Sequence, residues 1–167
     1  MNPEKAEIDV RIVAATERET PLILRMLVAL AEYERLSHKV AVTEAGLRKF
    51  LFGSHPAAEV ALAYLGDEGA GLAIFFPTFS TFSGEPGLYL EDLFVEPRWR
   101  RRGLGRRLMA HVAAVAASRG CRTLSWSVLR WNEPAIEFYS SMGAEPLEEW
   151  AGFRLTGEAF GRLLEAT

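Results

Sequence analysis

The chain has 167 residues and a formal net charge of −3, with 49% hydrophobic and 25% charged residues. A length of that order corresponds to one domain whose core needs no disulfides, and the balance excludes a disordered, collagen-like or coiled-coil chain. The charge total conceals a segregation: residues 98–107, RWRRRGLGRR, hold six arginines and no acid, and removing their +6 from −3 leaves −9 for the other 157 residues.

Cys121 is the only cysteine, which excludes an intrachain disulfide and a thiolate zinc cluster and fits a reducing cytoplasm. His38, His55 and His111 have no partner at i+4, so no metal is expected. Residues 1–10, MNPEKAEIDV, lack an apolar signal core, and no apolar run approaches the ~20 residues that span a bilayer. A cytoplasmic protein without membrane attachment is expected.

In chain order, residues 8–14 alternate apolar and polar and read as a strand. Residues 20–35 place Leu22, Ile23, Met26, Leu27, Leu30 and Tyr33 at helical spacing, with Thr20 as N-cap and Pro21 in the first turn. Thr43 and Glu44 open a second, short helix that Gly53 and Pro56 close. Strands follow at 58–65, 70–79 and 87–95, separated by a turn at 66–69 and a loop at 80–87 rich in turn residues. A helix at 103–119, a strand at 122–129, an Asn132-capped helix running to Gly143, one or two edge strands within 145–155 and a terminal helix from Thr156 complete the pattern. An antiparallel meander over 58–95 and strand–helix–strand crossovers beyond it predict an α/β fold: a mixed sheet flanked by helices.

The most informative segment is the junction of strand 87–95 with the following helix. Gly103 and Gly105 let the backbone approach a ligand closely. The first N–H groups of a helix have no intrahelical partner, and the helix dipole favours an anion there. Arg106 and Arg107 sit at this positive end although cations are disfavoured there, so either they fold away into solvent or an anion resides nearby, and such a turn suits a phosphate or pyrophosphate. A P-loop is excluded because no lysine lies between 50 and 167. The dinucleotide fingerprint fails at Leu108.

The pattern Arg100-x-x-Gly103-x-Gly105 after a strand resembles the acetyl-CoA pyrophosphate loop of the GNAT N-acetyltransferase superfamily. Trp131-Asn132-Glu133-Pro134-Ala135-Ile136-Glu137-Phe138-Tyr139 resembles its second cofactor element. Leu88-Tyr89-Leu90-Glu91-Asp92-Leu93-Phe94-Val95, with Leu30-Ala31-Glu32-Tyr33-Glu34, is similar to the diamine acetyltransferase branch, which includes spermidine/spermine and thialysine N-acetyltransferases. The resemblance implies a single N-acetyltransferase domain over 1–167, with a largely antiparallel sheet of the acyl-CoA N-acyltransferase fold. It also implies acetyl-CoA as donor, direct attack within a ternary complex, and a homodimer. The cofactor residues it implies are the backbone of Leu93, Phe94 and Val95, the loop Arg100, Arg101, Arg102, Gly103, Leu104, Gly105 and Arg106, and Asn132, Pro134, Ala135 and Tyr139.

The chemistry sets two proton problems. A free alkylamine has a pKa of ~10.4, so at neutral pH a base must take its proton before it attacks a thioester. The departing thiolate leaves more readily beside an acid, and the oxyanion wants N–H or hydroxyl donors. The resemblance makes Tyr139 the acid, although a tyrosine after Phe138 also suits core packing. It makes Glu91 the base or amine-binding residue, the alternative being a plain ion pair with an arginine. Glu91 and Asp92 are adjacent on a strand and so are expected on opposite faces. A carboxylate pair within an apolar strand is costly without partners.

On the acceptor side the resemblance places Tyr33, Glu34 and Asp92, with Trp126 and the Ser125–Ser127 edge. The polyamine enzymes carry an Asp where this chain has Ser80, and a later acid where it has Ala151. Fewer carboxylates weaken selection for long polycations, so a small primary amine of the thialysine type is expected ahead of spermidine. The alternatives are a protein or peptide acetyltransferase, a non-catalytic acyl-CoA binder, and a nucleic-acid-binding module using the arginine patch; the acidic remainder argues against the last, and no nucleic-acid partner is expected.

Overall fold

The computed structural model describes residues 9–166. They form two compact units, one ending at Ser127 and one beginning at Val128. The first holds β1 (Val10–Ala14), α1 (Thr20–Tyr33), α2 (Glu44–Phe52), β2 (Glu59–Leu65), β3 (Glu68–Ser80), β4 (Glu85–Val95), α3 (Leu104–Ser118) and β5 (Thr123–Trp126). The five strands make one sheet in the order β1-β2-β3-β4-β5. The first three pairings are antiparallel and β4–β5 is parallel, as the meander and the crossover through α3 require. The expected first strand begins at Ile8, which lies outside the described residues.

Helices cover both faces. Ile23, Met26 and Leu30 of α1 and Leu47 of α2 pack with Leu62, Leu72 and Ile74 of the sheet. Successive strand residues face opposite ways, and a Cβ on Gly71 would meet Leu108 of α3. Residues 60–63 and 69–75 are therefore buried without alternation, the pattern of strands covered on both sides.

Two local devices differ from the sequence reading. Thr16, not Thr20, is the capping residue: its hydroxyl accepts from the Arg18 N–H, while Glu19 accepts from the Thr16 N–H at 2.7 Å. This capping box closes a short 3₁₀ turn at Glu17–Glu19 ahead of α1. Thr20 lies inside the first helical turn, where its hydroxyl donates to the Glu17 carbonyl at 2.6 Å. The expected loop at 80–87 shrinks to 81–84, because β3 and β4 stay paired out to Ser80 and Glu85.

The second unit holds α4 (Glu133–Ser140) and α5 (Gly157–Leu164). Asn132 caps α4 as expected, accepting from the Ala135 N–H at 3.4 Å. The edge strands expected within 145–155 do not form. Pro146 lacks a ladder donor, and no strand of the described residues offers this segment a partner. Its large apolar side chains stay exposed, Phe153 at 96%.

Gly71 gives a direct test of the packing between β3 and β4. A Cβ there would lie 2.6 Å from the Phe94 carbonyl oxygen and 3.3 Å from the Leu108 side chain. Gly71→Ala should therefore cost about 1–3 kcal/mol by overpacking. That corresponds to a Tm lower by about 3–10 °C, read by circular dichroism.

Candidate active site

Strand β4 carries the site because it is held unevenly. On one side it pairs with β3 along its whole length. On the other, β5 pairs with it only over Gly87–Leu90. The Tyr89 and Ser127 hydroxyls hydrogen-bond at 2.7 Å. Beyond Leu90, β5 no longer accompanies Leu93, Phe94 and Val95, so their backbone groups on that edge carry no β5 ladder bonds.

The β3 register shifts where the splay begins: Phe75 pairs with Leu90 and Ile74 with Asp92, leaving Glu91 as the extra residue of a bulge. Glu91 is exposed and Asp92 half-buried. Burial pushes the Asp92 carboxyl up to about 6, and the negative charges of Glu91 and Glu34 push the same way. Burial likewise raises Glu34, which caps the C-terminus of α1 next to Tyr33. Burial and these two neighbouring carboxylates thus disfavour the ionised form of Asp92. A cation relieves that cost. Trp126 ends β5, half-buried, on the strand beside β4.

Strand β4 runs through a 3₁₀ turn at Pro97–Trp99 into the arginine–glycine loop. Arg101 and Gly103 both have left-handed backbones, φ 61° and 81°. Gly103 is the N-cap of α3 and no side chain caps that end. The first turn closes with the Arg107 N–H donating to the Gly103 carbonyl at 3.0 Å. The N–H groups of Leu104 and Gly105 precede it and lie at the positive end of a 15-residue helix. The chemistry of this cradle fits a pyrophosphate.

The arginines divide their work. Arg98 pairs with Glu68 and, with Arg102, flanks the Trp99 ring, the two guanidiniums lying 5.4 and 4.9 Å from its centroid. Arg100 turns back to β4 and donates to the Val95 carbonyl at 3.0 Å. Arg101 and Arg106 remain exposed beside the glycines. Sequence alone could not apportion these roles, because six neighbouring arginines look alike until their partners are known.

In the second unit, Asn132, Pro134, Ala135 and Tyr139 lie on α4 and its cap. Asn132 is 5% exposed, so its side chain is a buried cap. Tyr139 is half-buried with its ring 5.2 Å from that of Phe138.

Residues 26–144 match the Acetyltransferase (GNAT) family. The chain is 37% identical over 164 residues to mouse thialysine N-epsilon-acetyltransferase, covering 92% of this chain and 96% of that one. It is 31% identical to an L-ornithine N5-acetyltransferase of Arabidopsis thaliana, covering 89% and 85%. Among solved structures it resembles an integron cassette protein from the V. cholerae mobile metagenome, with a TM-score of 0.79 and 27% identity, covering 93% and 98%.

The raised Asp92 has a stability consequence. Between its unfolded value near 4 and about 6, the folded state holds a proton that the unfolded state releases, so stability falls as pH rises through that window and levels off above it. Asp92→Asn removes the penalty, worth about 3 kcal/mol at most. Thermal scans of the amine-free protein should show the variant more stable at pH 7–8 and the gap closing by pH 4.

Proposed function

The chain belongs to the GNAT acetyltransferase family, and we propose that it is a single-domain enzyme moving acetyl from acetyl-CoA to the side-chain amine of a small amino acid or diamine. The uncapped, left-handed entry to α3 at the end of the splayed β4 is the observation that carries this reading. The relatives named for thialysine and ornithine support a small amine acceptor. So does the carboxylate group Glu34, Glu91 and Asp92, which suits a cation of matching size.

Acetyl-CoA, when bound, supplies an activated thioester. The N–H groups of Leu104 and Gly105, with Arg101, Arg102 and Arg106, would hold its pyrophosphate. The backbone of Leu93, Phe94 and Val95 would bind the remainder of the donor, and Asn132, Pro134 and Ala135 would also bind it. Tyr33, Glu34, Asp92 and Trp126 receive the amine. Glu91 takes the ammonium proton, directly or through water, which frees the nitrogen lone pair. The Tyr139 hydroxyl returns a proton to the departing sulfur. Attack is direct, with both substrates bound together.

The homodimer is supported by the exposed apolar side chains of 147–164, which a second copy would cover. The lone buried Cys121 supports a reducing cytoplasm. No helix of the described residues is long and apolar enough to cross a membrane.

An amine panel containing thialysine, ornithine, short diamines and spermidine, read by mass spectrometry, tests the reading. The amino-acid amines should be acetylated faster than spermidine, and no turnover on any amine refutes it. Tyr139→Phe should lower kcat about 10²–10⁴-fold with little change in KM for acetyl-CoA. Glu91→Gln should move the pH–rate profile alkaline, and an unmoved profile removes Glu91 as the base.

A further inference from the structure

Arg100 touches three parts of the first unit at once. Its Nε–H donates to the carbonyl of Val95, the last residue of β4, at 3.0 Å. Its guanidinium carbon lies 4.6 Å from the centroid of the Tyr33 ring and 5.9 Å from that of Phe94. Tyr33 is the last residue of α1, and Glu34 is its C-cap. Arg100 itself stands immediately before the left-handed Arg101, at the entrance of the arginine–glycine loop. One side chain therefore joins the strand end, the carboxylate-bearing helix end and the loop.

The residue type suits this duty. A guanidinium donates in its plane while an aromatic ring takes its face, and it stays charged at every relevant pH. Its charge is also favourable at the C-terminus of a helix, where the dipole is negative. A lysine keeps the charge but cannot make the in-plane bond and the flat stack together.

Resting on the acetyl-CoA reading above, we propose that Arg100 is a positioning residue that couples the two substrate sites. Filling the loop fixes Arg101–Gly105 and with them the backbone of Arg100. The guanidinium then holds the Val95 carbonyl and Tyr33 in one arrangement, so the α1 end presents Glu34 already ordered. The amine then has less ordering to accomplish and binds more tightly. By linkage, a bound amine tightens CoA equally. This duty differs from direct pyrophosphate ligation, which would change CoA affinity and leave the coupling alone.

Calorimetric titration of thialysine and ornithine, with and without saturating CoA, reads the coupling without turnover. The wild type should bind the amine at least about fivefold more tightly when CoA is present. Arg100→Lys should keep CoA affinity within about threefold while the ratio falls toward one. Tyr33→Leu should also lose the ratio, whereas Tyr33→Phe, which retains the ring, should keep it; thermal scans establish that each variant is folded. A wild-type ratio near one overturns the proposal, as does an Arg100→Lys variant that loses tenfold or more in CoA affinity with its ratio intact. If the wild type acetylates amines but shows no ratio, only the coupling fails. If it neither binds CoA nor acetylates any amine, the acetyltransferase reading fails and the coupling with it.

Discussion

Strand β4 passes from pairing on both sides to pairing with β3 alone within eleven residues. Its pairing to β3 runs the full length, which holds it rigidly. Its pairing to β5 stops at Leu90, which leaves part of the opposite edge without ladder partners. The bulge at Glu91 sits where the parallel pairing stops. A bulge adds twist and lets a strand bend, so the change of direction coincides with the change of duty. The carboxylates of the bulge and the backbone groups of Leu93–Val95 both follow from it. So does the aim of the chain into the arginine–glycine loop. Close packing behind the strand is what permits this: Gly71 leaves no room for a Cβ between β3 and the Phe94 carbonyl.

The charge segregation has a structural counterpart. At the end of β4 the chain concentrates donors: two left-handed residues, an uncapped helix start and arginines whose side chains are partly braced on Trp99 and Tyr33. Around the bulge it concentrates acceptors, where burial first and then the charges of Glu91 and Glu34 drive Asp92 up to about 6. Each cluster is unfavourable alone, one by gathering positive charge and the other by burying negative charge.

Patterns with a local cause are legible in the amino-acid order itself. The Thr43 and Asn132 caps, the meander, and the switch from strand to helix at Gly103 each depend on a few neighbouring residues. What misleads is local chemistry with two solutions. Thr16 and Thr20 both precede a helical run, and Glu19 three residues after Thr16 completes a reciprocal box only there. Residues 145–155 are read from sequence as one or two edge strands, yet no strand forms there, and a strand exists only when a neighbour completes its ladder.

The amino-acid sequence by itself determined the fold class, the arginine–glycine turn and the identity of the residues at both ends of β4, because hydrophobic period, glycine placement and residue type are properties of short segments. Only the tertiary structure decided what those residues do to one another. The bulge is a mismatch between two strands, and neither strand carries it alone. The raised Asp92 depends first on its burial and also on the charge of Glu34, which lies 58 positions away in sequence. The placement of Arg100 between Val95 and Tyr33 depends on a helix end formed far earlier in the chain. Register, burial and long-range charge are pairwise quantities, and they come into being only when the chain closes on itself.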